Sequence, residues 1–370
     1  MEGEKTIDTT STYFKTEKKS YVIIDAPGHK EYMKNMVTGA AKADLAIIVI
    51  AANEGVKEQT KRHAFMLKLL GITDIIVVIT KMDIVAYSEK IHDFIVKEFD
   101  AYLKQSDIHS LAFVPISSED GVGVLHPSSM QKWYKGDTLL DIFDKFHTKR
   151  IKEVDLTLPV QDIYAHDNSS YIVGRIEEGS VQINANVLIL PNKTNAKVIS
   201  LQKWMKVLDK AERGECVGLW LDDMSNIKRG NIITSQNNKL KIDNRFNALI
   251  FWLDDCPYGD NEPEITIEIS TQYSACSIKK IYRKIDSSSL AELPIHPPIL
   301  SFTEVGEISI EISTPVVYDS FTNNTTLGKF VLVKLRQLTL AASRLRRSFA
   351  TFQASLVPHL PYLASQYTAE

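Results

Sequence analysis

The chain has 370 residues, of which 44% are hydrophobic and 24% are charged, as in an ordinary globular protein of two or three domains. Its 43 basic and 46 acidic residues give a formal charge of −3, so there is no electrostatic case for a general nucleic-acid binder. No apolar run approaches the roughly 20 residues that span a bilayer, so no membrane contact is expected. The polar N-terminus does not look like a secretory signal, and the three cysteines form no C-x-x-C pair. A cytoplasmic location is therefore expected.

The first 150 residues alternate apolar runs with amphipathic stretches. Continuous β-branched runs of this length are typical of parallel strands that are covered on both faces. Alternation of strands and helices predicts an α/β domain whose ligands bind at the carboxyl ends of the strands. The four runs are Tyr21–Ile24, Leu45–Ala51, Ile75–Ile79 and Ala112–Ile116.

The pattern changes near residue 151, where short alternating stretches separated by turn residues begin. These predict an all-β domain, either a barrel or a sandwich, over residues 151–240 and a second one over 241–334. Residues 335–370 form a divergent tail in which every basic residue is an arginine. Its apolar spacing allows a basic amphipathic helix. A poorly packed tail, or one altered by a late frame change, is the reading we favour.

One run of residues, 25–29, lies directly after the first apolar strand and reads Asp-Ala-Pro-Gly-His. A carboxylate at a strand end, here Asp25, can hold Mg²⁺ through water, and the backbone N–H of Gly28 can approach a phosphate oxygen. His29 stands where a polar residue orients the attacking water in phosphoryl transfer. Alone, this pattern is also typical of a simple turn.

Two further motifs follow the next strand ends. Lys81 and Asp83, after Thr80, suit a guanine edge, because a carboxylate accepts both of its N–H donors while the lysine stem lies along the base. Ser117 and Ser118 are small residues that can present backbone N–H groups to a base carbonyl. Each motif alone also fits a solvated turn. Together they predict a nucleotide site, because each follows a successive strand.

These motifs resemble the translational-type GTPases, the group of elongation factor Tu and elongation factor 1 alpha. The run 25–72 is similar to that group over its whole length. The segments 6–18, 81–89 and 133–136 resemble more narrowly the large GTPase subunit of bacterial sulfate adenylyltransferase. No insertion of the kind found in elongation factor 1 alpha stands between Asn53 and His63.

The resemblance implies an α/β P-loop-NTPase-like G domain, lacking its first strand and P-loop, followed by two β-barrel domains. It implies GTP and Mg²⁺ as ligands. Thr6 would be the switch I threonine that closes on Mg²⁺ and the γ-phosphate. Asp25 would bind Mg²⁺ through water, Gly28 would contact the γ-phosphate, and His29 would be the catalytic residue. The implied base-site residues are Thr80, where the group usually has Asn, with Lys81, Asp83, Ser117 and Ser118.

The largest departure from the family pattern is the absence of a phosphate-binding loop. The sequence G-x-x-x-x-G-K-[ST] occurs nowhere in the chain. In the family this loop follows a central strand, so the strands at 21–24 and 45–50 should flank a gap or pair anew. Without the loop we expect weak or no nucleotide binding and no efficient GTP hydrolysis.

Three functions remain open from the sequence. The first is the large subunit of sulfate adenylyltransferase, a nucleotidyltransferase complex of sulfate assimilation, in a heterodimer with the small catalytic subunit. The second is a translation factor that delivers aminoacyl-tRNA, which the mild acidity of the chain disfavours. The third is a nucleotide-free remnant that acts as a binding module.

Overall fold

The computed structural model describes residues 9–28, 33–40, 43–72, 74–127, 130–147, 155–166, 169–204, 206–254, 256–259 and 265–334. The described chain has an α/β domain at its N-terminal end and two β-rich domains after it. This order confirms the fold class expected from the sequence. No helix in the described ranges is long and apolar enough to cross a membrane.

Within the described residues the α/β domain contains five strands and four helices. Its strands are β1 (Thr10–Lys15), β2 (Ser20–Asp25), β3 (Ala46–Ala51), β4 (Asp74–Thr80) and β5 (His109–Pro115). Its helices are α1 (Met33–Ala40), α2 (Glu58–Leu69), α3 (Glu89–Gln105) and α4 (Leu139–Lys145). Strands β3, β4 and β5 form a parallel sheet in that order. The parallel arrangement predicted for these three apolar runs is therefore confirmed.

The first predicted strand behaves differently from the other three. Strand β2 pairs antiparallel with β1 in a separate two-stranded sheet. Val22 and Ile23 are 51% and 42% exposed. The prediction that this run is a parallel strand covered on both faces was wrong. Among the described residues no strand pairs with both β2 and β3, so β2 lies outside the parallel sheet.

Two packed layers cover the parallel sheet. Helices α2 and α3 cover one face, where Ile48, Ile75 and Phe99 belong to the largest apolar cluster. Helix α4 packs near the other face through Ile142 and Phe143, against the smaller cluster of β4 and β5. On that second face Val49 of β3 is 61% exposed. The edge of β3 beside the gap therefore lacks a cover among the residues described.

The first β-rich domain is built from an eight-stranded sheet and a two-stranded sheet. Its strands are β6 (Thr157–Pro159), β7 (Asp162–His166), β8 (Ser169–Arg175), β9 (Ser180–Gln182), β10 (Asn186–Leu190), β11 (Thr194–Lys203), β12 (Lys206–Leu208), β13 (Lys210–Glu212), β14 (Cys216–Leu221) and β15 (Ile232–Ser235). All its pairings are antiparallel. Its apolar interior is a cluster of its own, with Leu158, Val198 and Leu219 at the centre.

The second β-rich domain is a six-stranded antiparallel sheet. Its strands are β16 (Lys241–Phe251), β17 (Ile265–Ile269), β18 (Gln272–Asp286), β19 (Glu292–Leu293), β20 (Glu304–Tyr318) and β21 (Val331–Lys334). The long strands β18 and β20 contribute to an apolar core in which Trp252, Ile267 and Ile308 are fully buried.

The second β-rich domain packs against the α/β domain. Phe251, Leu253 and Val305 join the apolar cluster of helices α2 and α3. The hydroxyl of Tyr102, on α3, lies 2.8 Å from the carbonyl oxygen of Ser287. The α/β domain is therefore held in a fixed relation to the strands that follow it.

Candidate functional site

The candidate base site lies at the carboxyl ends of β4 and β5. These strands are parallel neighbours, with Ile79 opposite Pro115, so the loops that follow them leave the same edge of the sheet. The backbone N–H of Met82 donates to the carbonyl oxygen of Ile116 at 3.3 Å, which ties the two loops together at their roots. The structure thereby brings the Lys81–Asp83 loop next to Ser117 and Ser118.

Lys81 has a left-handed backbone with φ of 59°. This conformation is uncommon for a residue with a side chain and occurs where the surroundings enforce it. Its Nζ lies 3.6 Å from the Glu54 carboxylate, and Glu54 also pairs with Lys57. The hydrogen bond from Lys57, together with the charges of Lys57 and Lys81, lowers the pKa of Glu54. The Lys81 ammonium is therefore held beside the loop that follows β3.

Asp83 is half-buried, and its carbonyl oxygen accepts a hydrogen bond from Ala86 N–H at 3.0 Å. The turn closes when Tyr87 N–H donates to Met82 O at 2.7 Å. Ala86 and Tyr87 both have positive φ, of 50° and 52°. The loop that carries the predicted guanine-reading residues is thus a tight, internally bonded turn.

Tyr87 connects this turn to the loop that carries the two serines. Its hydroxyl donates to Asp120 Oδ2 at 2.8 Å, and the hydrogen bond from Ser117 Oγ reaches the same oxygen at 3.4 Å. The hydrogen bond to Asp120 is the main reason that the pKa of Tyr87 is raised. Ser117 is fully buried, whereas Ser118 is exposed at the edge of the loop.

The indole ring of Trp133 is hydrogen-bonded to the same turn. Its Nε1–H donates to the carbonyl oxygen of Tyr87 at 3.0 Å, and its ring lies 4.8 Å from the ring of His92. In the sequence, Trp133 and Tyr87 are notable only because they lie in segments that resemble the family. Their contacts join residues 46 positions apart, and no local periodicity marks such a pair.

Of the residues predicted to contact Mg²⁺ and the γ-phosphate, those that the structure describes do not belong to the parallel sheet that carries the base site. Asp25 ends β2, is exposed, and belongs to the separate sheet. Gly28 lies near His63 of α2, since a Cβ placed on Gly28 would be 3.9 Å from His63 Cε1. Thr6 and His29 lie outside the described residues. Their predicted roles, with that of Asp25 toward Mg²⁺, remain predictions.

The residues predicted for the base lie together at the carboxyl ends of β4 and β5. Lys81 and Asp83 carry the charges predicted for a guanine base, whereas the backbone N–H of Ser117 already donates to Val122 O at 3.1 Å. The phosphates require a cradle of backbone N–H groups, a lysine and a Mg²⁺-binding hydroxyl. The sequence has no such loop, and among the described residues no three His, Cys, Asp or Glu side chains gather as metal ligands. The described residues therefore supply no such cradle.

The chain resembles known proteins along most of its length. Residues 1–149 match the elongation factor Tu GTP binding domain, and residues 245–346 match the GTP-eEF1A C-terminal domain-like family. The chain is 30% identical over 348 residues to sulfate adenylyltransferase subunit 1 of Francisella tularensis subsp. novicida, which covers 93% of this chain and 73% of that protein. It is 32% identical over 332 residues to the protein of the same name from Alteromonas mediterranea, with 89% and 69% covered.

Two further comparisons give one relative that is matched over only half of its length and one solved structure of similar fold. The bifunctional enzyme CysN/CysC of Rhodopirellula baltica is 32% identical over 342 residues, but the chain spans only 52% of its length. The crystal structure of Sup35 complexed with GDP aligns with a TM-score of 0.50 and 24% identity, and covers 94% of this chain and 84% of that one. This second likeness concerns the fold alone. From the identities to subunit 1, the chain belongs to the elongation factor Tu and elongation factor 1 alpha type of GTPases, in the family of sulfate adenylyltransferase subunit 1.

Proposed function

We propose that the chain acts as the large, GTPase-type subunit of a sulfate adenylyltransferase. In this role it binds a small catalytic subunit that transfers the adenylyl group of ATP to sulfate, and GTP hydrolysis on the large subunit drives that unfavourable step. The observation that supports this role best is the identity of about 30% to subunit 1, which runs through both the α/β domain and the β-rich domains. The activity belongs to the cytoplasm, where sulfate assimilation takes place.

We further propose that the chain as given does not turn over GTP. Its guanine-end residues Thr80, Lys81, Asp83, Ser117 and Ser118 are present, but a nucleotide bound by its base alone loses the contacts to its phosphates. Partner binding and turnover are therefore separate properties of this chain. We therefore expect the chain as given to bind the small subunit and not to hydrolyse GTP.

We propose domain limits at residues 1–150, 151–240 and 241–334, with a tail over 335–370. Limited proteolysis tests these limits, because exposed linkers between domains are cut first. Fragments that end near residues 150 and 240 support them. Early cuts inside β18 or β20 contradict them.

Binding of the small subunit is the direct test of the proposed role. The full chain is immobilised and titrated with purified small subunit from a species whose subunit 1 is a relative, such as Francisella tularensis. We expect a saturable complex with a Kd in the micromolar range or below. Aminoacyl-tRNA, applied to the same surface, tests the translation-factor alternative and should show no saturable binding, because the net charge of −3 offers no general attraction for phosphates.

A nucleotide-free binding module is the second candidate, and the missing phosphate loop favours it. Both roles predict a complex with the small subunit, but only a working subunit makes adenylyl-sulfate formation depend on GTP. Sulfate-dependent adenylyl transfer in the reconstituted complex is therefore measured with and without GTP. We expect an unchanged rate, because the chain as given is expected not to turn over GTP. Stimulation by GTP would contradict that expectation and support a working large subunit.

A further inference from the structure

The loop over residues 319–328, between β20 and β21, contacts both of the other domains. The side-chain amide of Asn324 donates to Thr157 Oγ1 at 3.0 Å, and Thr325 N–H donates to Glu178 Oε1 at 3.2 Å. Thr157 and Glu178 belong to the first β-rich domain. At the start of the loop, the ring of Phe321 lies directly over Gly71 of the α/β domain. One short loop therefore touches all three domains.

Glu178 is a carboxylate in an almost fully buried position. Only 4% of the residue is exposed, and its neighbours Thr157 and Asn324 are 1% and 3% exposed. Its backbone is fixed, because Thr157 N–H donates to Glu178 O at 3.0 Å. The carboxylate therefore lies buried in the interface between the two β-rich domains, where the loop donates a hydrogen bond to its Oε1.

The charges around Glu178 come from three elements. Glu177 lies beside it in the same turn, Arg213 faces it from the turn between β13 and β14, and Asp319 faces it from the 319–328 loop. Burial raises the pKa of Glu178 to about 7, and Asp319 and Glu177 add to that effect, whereas the Thr325 N–H and Arg213 oppose it. Lys329 directly follows the loop. Burial lowers the pKa of Lys329, and the negative charge of Glu177 partly restores it.

We propose that Glu178 and the 319–328 loop form a proton-operated latch that holds the three domains together when Glu178 is neutral and loosens when it ionises. A neutral carboxyl group accepts the hydrogen bond from Thr325 N–H and carries no charge that needs solvation. An ionised one is buried beside Asp319 and needs water, which reaches it only if the loop moves away. Because Phe321 is part of the same loop, this movement also changes the contact at Gly71.

The direction of the pH effect follows from linkage. The ordinary pKa of a glutamate is 4.5 and that of Glu178 in the fold is about 7, so the folded state binds the proton more tightly. The stabilisation is fully present below pH 4.5 and is lost as the pH rises through about 7. A shift of this size corresponds to a change on the order of 100-fold in the closing equilibrium of the latch.

Hydrogen–deuterium exchange of the full chain tests the latch. Peptides that cover residues 319–330 are followed at pH 5.5 and pH 8.5, with exchange times corrected for the intrinsic effect of pH. In the wild type we expect corrected protection of this segment to fall about tenfold or more at the higher pH. Glu178→Gln keeps the shape and the acceptor oxygen without ionising, so its protection should be the same at both pH values.

Two more variants complete the test. Glu292→Gln removes an exposed carboxylate that pairs with Arg283, and it should behave like the wild type. Glu177→Gln removes a negative neighbour of Glu178 and should move the midpoint of the protection change to lower pH. If circular dichroism shows that Glu178→Gln does not fold, the midpoint of the protection change in Glu177→Gln is the test. Equal pH dependence in the wild type and Glu178→Gln, or an unmoved midpoint in Glu177→Gln, overturns the proposal.

Discussion

The ring of Phe321 in the second β-rich domain lies against the backbone of Gly71 at the end of α2. A Cβ placed on Gly71 would be 1.9 Å from Phe321 Cζ, which is far inside contact distance. Gly71 also has a φ of +75°, a left-handed conformation that favours glycine. The absence of a side chain at position 71 is therefore what lets the two domains approach at this point.

Gly71→Ala should destabilise the chain through both effects. The left-handed backbone costs about 1 kcal/mol for a residue with a Cβ, and the steric clash adds about 1–3 kcal/mol. Gly55→Ala is the matched control, because Gly55 has a φ of +69° but nothing within 4 Å of its Cβ position. Urea unfolding monitored by circular dichroism should show a clearly larger loss for Gly71→Ala than for Gly55→Ala.

A second substitution isolates the ring contact. Adding Phe321→Ala to Gly71→Ala should make the combined loss smaller than the sum of the two single losses, because the clash is gone. Strictly additive losses, or equal losses for the Gly71 and Gly55 variants, would contradict a direct contact between the ring and Gly71.

The uncovered edge of β3 predicts self-association. Val49 is 61% exposed at this edge, whereas its neighbour Ile48 is 6% exposed and packs against the α2 side of the sheet. Exposed apolar strand edges are sites of aggregation, and a lysine there blocks edge-to-edge pairing. Val49→Lys should change the free energy of unfolding by less than about 0.5 kcal/mol and lower the light scattering of concentrated samples.

Ile48→Lys is the comparison for this prediction. It places a charge in the buried face of the same strand and should prevent folding. If Val49→Lys is as damaging as Ile48→Lys, then Val49 is covered in solution and the edge is not free.

His63 predicts a loss of stability in mild acid. Burial lowers the pKa of His63 to about 4 from its ordinary 6.5, so the neutral ring is favoured in the fold. The unfolded chain then takes up a proton more readily, and stability falls as the pH drops from 6.5 toward 4. At pH 5 the loss from this one group is about 2 kcal/mol.

His63→Gln should remove that part of the acid sensitivity. The difference in free energy of unfolding between pH 7 and pH 5 is measured by urea titration for the wild type and for this variant. His109→Gln makes the same substitution at an exposed position of β5 and is the control for the chemical change itself. If His63→Gln keeps the wild-type pH dependence, then burial of the neutral His63 ring does not cause the acid sensitivity.

The central strands of the α/β domain could be predicted because their environment is uniform. The run Ile75–Ile79 is observed within strand Asp74–Thr80, and it is apolar throughout since both faces of β4 are covered. Tyr21–Ile24 has a similar pattern, yet it forms β2 in an antiparallel pair. The pattern of one segment does not say which neighbour it pairs with.

The candidate site was predictable where chain order alone places residues together. Lys81 and Ser117 follow adjacent parallel strands, so their proximity follows from the fold class. The bond from Tyr87 to Asp120 and the one from Thr325 to Glu178 depend on how loops pack. The second joins residues 147 positions apart, and nothing in the local sequence marks either end.

Nucleotide binding is the measurement that tests the account most directly. The purified chain is titrated with a fluorescent GTP analogue in the presence of Mg²⁺, and unlabelled GTP and ATP then compete. Because the sequence contains no G-x-x-x-x-G-K-[ST] loop to hold the phosphates, we predict no saturable binding at micromolar concentrations while circular dichroism shows an intact fold. Micromolar, Mg²⁺-dependent binding that GTP displaces and ATP does not would contradict this account, and other residues would then have to hold the phosphates.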